Sequence, residues 1–195
     1  MAKAMADAVI EGIRERVTAA IRVNFSVGVQ VPENRHSDLL EAIFASMTKN
    51  DHDIWAFVTV SKPYDFLKKQ YKELEQFTNI KFIDCVSRAA GIGGKSANCI
   101  FIESPGMLER IILELLNSFR GAKGETEKFI IIDSLSALMI YNNPEIIREF
   151  ISLLMNRARS ENIHVISILV EEEMDSNKLI QMNDKIIVLR DSFID

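Results

Sequence analysis

Two hydrophobic patterns alternate along the chain. Short, almost unbroken apolar runs occupy residues 24–30, 54–60, 80–86, 98–102, 129–133, 163–170 and 185–189. Runs of this length, rich in β-branched and aromatic residues, suit strands covered on both faces, as in parallel sheets flanked by helices. Between them, apolar residues recur every three or four positions and predict helices. Val9, Ile10, Ile13, Val17 and Ile21 give the segment 1–21 an amphipathic face, and Leu39, Leu40, Ile43, Phe44 and Met47 do the same for a helix opened by Ser37. A third helix is expected from about Pro63 to Phe77. Two more are expected where a capping side chain precedes a proline, at Ser104-Pro105 with Met107 inward and at Asn143-Pro144 with Ile146 inward. A short one is expected near Lys178–Met182. Strands and helices in this order predict a mostly parallel sheet joined by right-handed crossovers. The expected fold is therefore a three-layer α/β domain over residues 22–195, with helix 1–21 packed on its core.

Composition narrows this reading. At 195 residues and 48% hydrophobic content the chain can build one sizeable core. A net charge of −5, with no dense Lys/Arg block, argues against a nucleic-acid partner. Cys85 and Cys99 lack CxxC spacing and read as core thiols of a reducing compartment. No run reaches membrane-spanning length without charge, so a cytoplasmic protein without a membrane partner is expected.

The chemistry gathers at strand ends. The run 129–132 ends in Asp133-Ser134, and the carboxyl edge of an open α/β sheet is where ligands bind. A carboxylate there suits the magnesium of a nucleoside triphosphate; the plainer reading is the start of a turn. Glu171–Glu173 end the next run on the same edge, making Asp133 with Glu171 a candidate metal pair or, more simply, Glu171 one of several solvated charges. His36 and His164 have no second ligand at metal spacing, and read as a surface and a strand-edge histidine. Gly94-Lys95-Ser96 imitates the tail of a phosphate loop, but the chain then enters a strand where that motif needs a helix, so 91–96 reads as a flexible surface loop.

In this order of motifs the chain resembles the RecA superfamily, and within it the KaiC-like branch, from about Val23 to Arg190. The most specific segment is FIIIDSLSALMIYNNPEIIREFISLLMNRARSENIHVISILVEEE, where the Walker B strand, the Asp-Ser pair, a helix and the next strand fall in family order. The resemblance implies a RecA-like, P-loop NTPase-type fold. It also exposes departures. The phosphate loop needs G-x-x-x-x-G-K-[ST]. With Ser37 at the hydroxyl position, His36 stands for the lysine, Arg35 for the second glycine and Gln30 for the first, and Asp38 adds negative charge to the helix start. Ser61-Lys62 stands where the branch carries a glutamate pair.

Carried over residue by residue, Arg35, His36, Ser37, Asp133 and Ser134 form a vestigial nucleotide site. The resemblance then implies a non-hydrolysing pseudo-ATPase that requires no cofactor and acts as a regulatory module through a protein partner or self-association. The alternative is a remodelled loop that binds ATP, ADP or another phosphate weakly, with magnesium at Asp133. Fold alone does not decide between them.

Overall fold

The computed structural model describes residues 2–122, 126–170 and 177–190. The apolar runs form seven strands: β1 (Ser26–Val31), β2 (Ile54–Thr59), β3 (Ile80–Asp84), β4 (Cys99–Phe101), β5 (Lys128–Asp133), β6 (His164–Val170) and β7 (Lys185–Val188). They make one sheet in the order β4-β3-β2-β5-β6-β1-β7, and every neighbouring pair is parallel. The helices are α1 (Ala2–Val23), α2 (His36–Met47), α3 (Tyr64–Gln70), α4 (Leu108–Asn117), α5 (Leu135–Tyr141), α6 (Pro144–Ser160) and α7 (Asn177–Ile180).

Side chains alternate across a strand, and the sheet uses both faces. Phe129 and Ile131 of β5 join a core with Ile13 and Val17 of α1, Leu39 and Ile43 of α2 and Leu67 of α3. Ile130 and Ile132 join the opposite core with Ile111 of α4, Leu138 of α5 and Ile151 of α6. This two-sided burial is why the runs carry no polar interruption. Each fully buried aliphatic side chain stabilises the fold by about 1.5–3 kcal/mol. Gly28 in β1 is required by packing, since a Cβ there would stand 2.4 Å from Ile180 Cγ1 of α7.

Several local expectations are corrected. The helix expected over 63–77 is broken: α3 ends at Gln70, and a separate 3-10 turn follows over Lys72–Gln76. Ser104 does not cap a helix. Its hydroxyl accepts from the Gly106 amide at 3.2 Å in a turn, α4 begins at Leu108, and Met107 is exposed rather than inward. The Asn143 cap is present, its side chain accepting from the Glu145 amide at 2.9 Å ahead of Pro144, but Ile146 points to solvent. Helix α5, directly after Asp133-Ser134, has no counterpart in the sequence reading. Among the described residues no helix is long and apolar enough to cross a membrane.

Candidate functional site

β2 and β5 run in register from Ile54↔Lys128 to Thr59↔Asp133, so Asp133 sits at the carboxyl edge of the sheet's middle. β1 leaves the same edge through Pro32 and a 3-10 turn, Glu33–Arg35, which delivers His36 as the first residue of α2. His36 Nε2 lies 2.6 Å from Asp133 Oδ1. From the turn after β2, the Ser61 hydroxyl donates to Asp133 Oδ2 at 2.7 Å. The Asp133 carbonyl also accepts from the Val60 amide at 2.7 Å. Asp133 is 0% exposed and His36 only 7%, which corrects the reading of His36 as a surface histidine.

The result is a closed polar cluster in which both carboxylate oxygens are occupied by side chains of the same chain. Its order, histidine–aspartate–serine with the carboxylate in the centre, leaves no histidine between acid and hydroxyl to act as a base, so it is not a nucleophilic triad. For Asp133 to receive a magnesium ion, two charge-assisted hydrogen bonds of about 1.5–3 kcal/mol each must first be given up. The buried carboxylate in this arrangement does not fit a hydrated divalent cation. Among the described residues no group of three or more His, Cys, Asp or Glu side chains is placed to share a metal, and Glu171 lies outside the described residues.

The other carried-over residues disperse. Arg35 Nε pairs with Asp38 Oδ2 at 2.8 Å, so this guanidinium is turned to the first turn of α2. Ser37 is exposed. Ser134 caps α5, its hydroxyl accepting from the Ala137 amide at 3.2 Å. Asp133-Ser134 joins β5 directly to α5, the strand ending in the first residue and the helix being capped by the second, so the expected turn is a helix start instead.

One residue escaped the sequence reading and another was seen only in part. By resemblance Ser61 stands at a glutamate position of the branch, but nothing local signals a partner 72 positions away. Asp84 closes β3 much as Asp133 closes β5. Fully buried, it accepts from the amides of Tyr64, Val86 and Ser87 at 2.7, 2.9 and 2.8 Å and from the Ser87 hydroxyl at 2.6 Å. The available signal was the repeated pattern of an apolar strand ending in aspartate. Tyr71 completes the surroundings. Its hydroxyl reaches the Ser37 carbonyl at 3.4 Å, and burial, reinforced by Glu41 and Asp133, pushes its phenol up to about 12, keeping it a donor.

The remaining candidates lie elsewhere. The 91–96 loop runs into β4, with Gly91 and Gly93 at φ 70° and 128°, and helps line an open cleft beside Arg88 and Phe101. His164 opens β6, its ring stacked between Phe25 and Phe129 at 5.3 and 5.4 Å. Cys85 and Cys99 are buried free thiols, and burial pushes both well above the usual thiol range.

Comparison with known proteins agrees with this architecture. No protein-family profile and no curated protein matches the chain. A solved KaiC-like protein of the hyperthermophilic archaeon Pyrococcus horikoshii is similar in structure, with a TM-score of 0.58 over 88% of this chain and 74% of that one. At 11% identity this likeness shows the fold: a KaiC/RecA-like α/β domain with an all-parallel sheet.

Proposed function

We propose that this domain has kept the RecA/KaiC-like fold without nucleotide hydrolysis and works as a regulatory module through protein contacts. The observation that carries the reading is the occupancy of Asp133: His36 and Ser61 hold both oxygens of a carboxylate that is itself fully buried. By resemblance, these two residues stand where the family places the phosphate-binding lysine and the first of its two glutamates. Histidine and serine there turn the carboxylate from a metal ligand into the centre of an internal hydrogen-bond cluster. Residues 30–37 are then a degenerate Walker A loop.

A role in protein contacts is supported by the opposite layer. Ile140, Tyr141, Ile146 and Leu153 of α5 and α6 are each at least half exposed, more large apolar surface than two consecutive helices need leave uncovered. The deciding experiment is calorimetric titration with ATP and ADP in magnesium, with Asp133→Asn alongside. No heat at millimolar nucleotide is expected from either protein. Binding by the wild type that disappears in the variant would overturn the proposal and establish a remodelled phosphate loop instead.

A further inference from the structure

The two helical layers leave the sheet unequally covered. Among the described residues ten large apolar side chains are exposed, and six of them, Met107, Leu113, Ile140, Tyr141, Ile146 and Leu153, stand on α4, α5 and α6 or just before α4. The layer of α1, α2 and α3 exposes two, Val23 and Phe66. Single exposed apolar residues are ordinary, but their concentration on one layer marks a contact surface.

α6 organises that surface because it carries two stripes. Ile147, Ile151, Leu154 and Ala158 recur at helical spacing and are buried in the core. Ile146, Glu149, Leu153 and Arg157 recur at the same three- and four-residue spacing, and all four are exposed. The first stripe accounts for the fold. The second is left over, and its two aliphatic side chains, seven residues apart, have the seam repeat of helices packed along one another.

The charges say what covers it. Glu149 and Arg157 stand four residues to either side of Leu153, beside the centre of the 17-residue helix. Two turns, about 12 Å, separate them, beyond the one-turn spacing at which side chains on a helix pair. Among the described residues neither has an ion pair. Arg159 is turned elsewhere, to Asp184 at 2.7 Å. A contact built on a two-fold axis must be complementary to itself, and this stripe is. With the axis at Leu153, an antiparallel copy sets Glu149 opposite Arg157 of the partner subunit, Arg157 opposite the partner's Glu149, and Ile146 opposite the small side chain of the partner's Ser160.

We propose that α6 is the interface of a symmetric dimer, two copies of this chain crossing antiparallel at Leu153 with reciprocal Glu149–Arg157 ion pairs. The inference rests on the reading that the domain works through protein contacts, and it names the partner. It does not involve Asp133, so a monomer would leave the nucleotide titration as it stands, and nucleotide binding would leave the dimer as it stands.

Sedimentation equilibrium of the full chain at low salt tests it. A concentration-dependent dimer is expected, abolished by Leu153→Asp. Glu149→Arg or Arg157→Glu alone should weaken it about tenfold or more, because each turns two attractions into repulsions. All three positions are exposed, and the urea midpoint checks that the variants fold. The double variant Glu149→Arg/Arg157→Glu should associate again, and the two single variants should form a mixed dimer when combined. A strictly monomeric wild type into the high micromolar range would overturn the proposal. So would a dimer that survives Leu153→Asp, or a charge swap that fails to restore association.

Discussion

Asp84 and Asp133 close the two strands that flank β2, each at the end of an apolar run, each fully buried. Their partners differ. Asp84 is held by three backbone amides and one hydroxyl, from the start of α3 and the turn after β3. Asp133 is held by two side chains, His36 and Ser61, brought in from 97 and 72 positions away. Backbone amides are present at every residue but proline, so a chain that folds this way offers Asp84 three of its four partners. The partners of Asp133 exist only because of what stands at positions 36 and 61. The first site is largely a property of the fold; the second depends on the side chains that stand at two distant positions.

The largest expected effect comes from breaking the backbone-held site. Asp84→Ala strands the amides of Tyr64, Val86 and Ser87 together with the Ser87 hydroxyl. An unsatisfied buried donor costs about 1–3 kcal/mol, so a loss of about 3–5 kcal/mol is expected after partial relaxation. That is a large share of the margin of a domain this size. Urea denaturation measures it, and Asp84→Asn, which keeps an acceptor, should lose less.

A smaller effect is expected at Asp133, and its form sharpens the contrast. Asp133→Leu alone leaves the buried His36 without its acceptor, while the exposed Ser61 can turn to water, and should destabilise by about 1–3 kcal/mol. Adding His36→Leu removes a stranded group as well, so the double variant should lose less than the sum of the two singles, by about 1–2 kcal/mol in a double-mutant cycle. Additive losses would mean that the two side chains do not work as a unit. Applied to Asp84 and His36, which share no hydrogen bond, the same cycle should give close to zero.

The sequence carried most of the fold because its signals were local. An apolar run between polar turns reads as a strand wherever it lies, and Asn143-Pro144 announces α6 by chemistry confined to three residues. Failures arose where one signal overlaid another. Leu135–Tyr141 is apolar nearly throughout and follows a strand directly, so no helical period stands out, although Ser134 supplies the cap. Ser104-Pro105 has the dress of a helix start, but Gly106 intervenes and the serine closes a turn instead. The candidate site was half legible. The resemblance marked positions 36, 61 and 133, whereas the bonds among them and the burial of His36 depend on crossovers that place three distant segments within hydrogen-bonding distance.

The smallest expected effect lies at Asp184, where a carboxylate at the start of β7 has both kinds of partner at once. It accepts from the Ser26 amide at 2.9 Å and the Ser26 hydroxyl at 3.0 Å, and pairs with Arg159 at 2.7 Å. Burial raises its pKa, but the Ser26 hydrogen bonds and Arg159 outweigh that and hold it below the ordinary range. A depressed folded-state pKa contributes stability that is present above the unfolded value near 3.9 and lost as pH falls through the folded one. Asp184→Asn should therefore cost about 1 kcal/mol or less at neutral pH, because the side chain is 35% exposed and its ion pair is screened. The gap between variant and wild type should begin to narrow as pH falls below about 4, where the unfolded carboxylate takes up its proton, and close as pH falls through the lower folded value. Denaturation midpoints at pH 7 and pH 3 measure both values. The neutral-pH loss should persist in high salt if the Ser26 bonds dominate, and fade if Arg159 does, since hydrogen bonds to the backbone are far less sensitive to screening than an exposed ion pair.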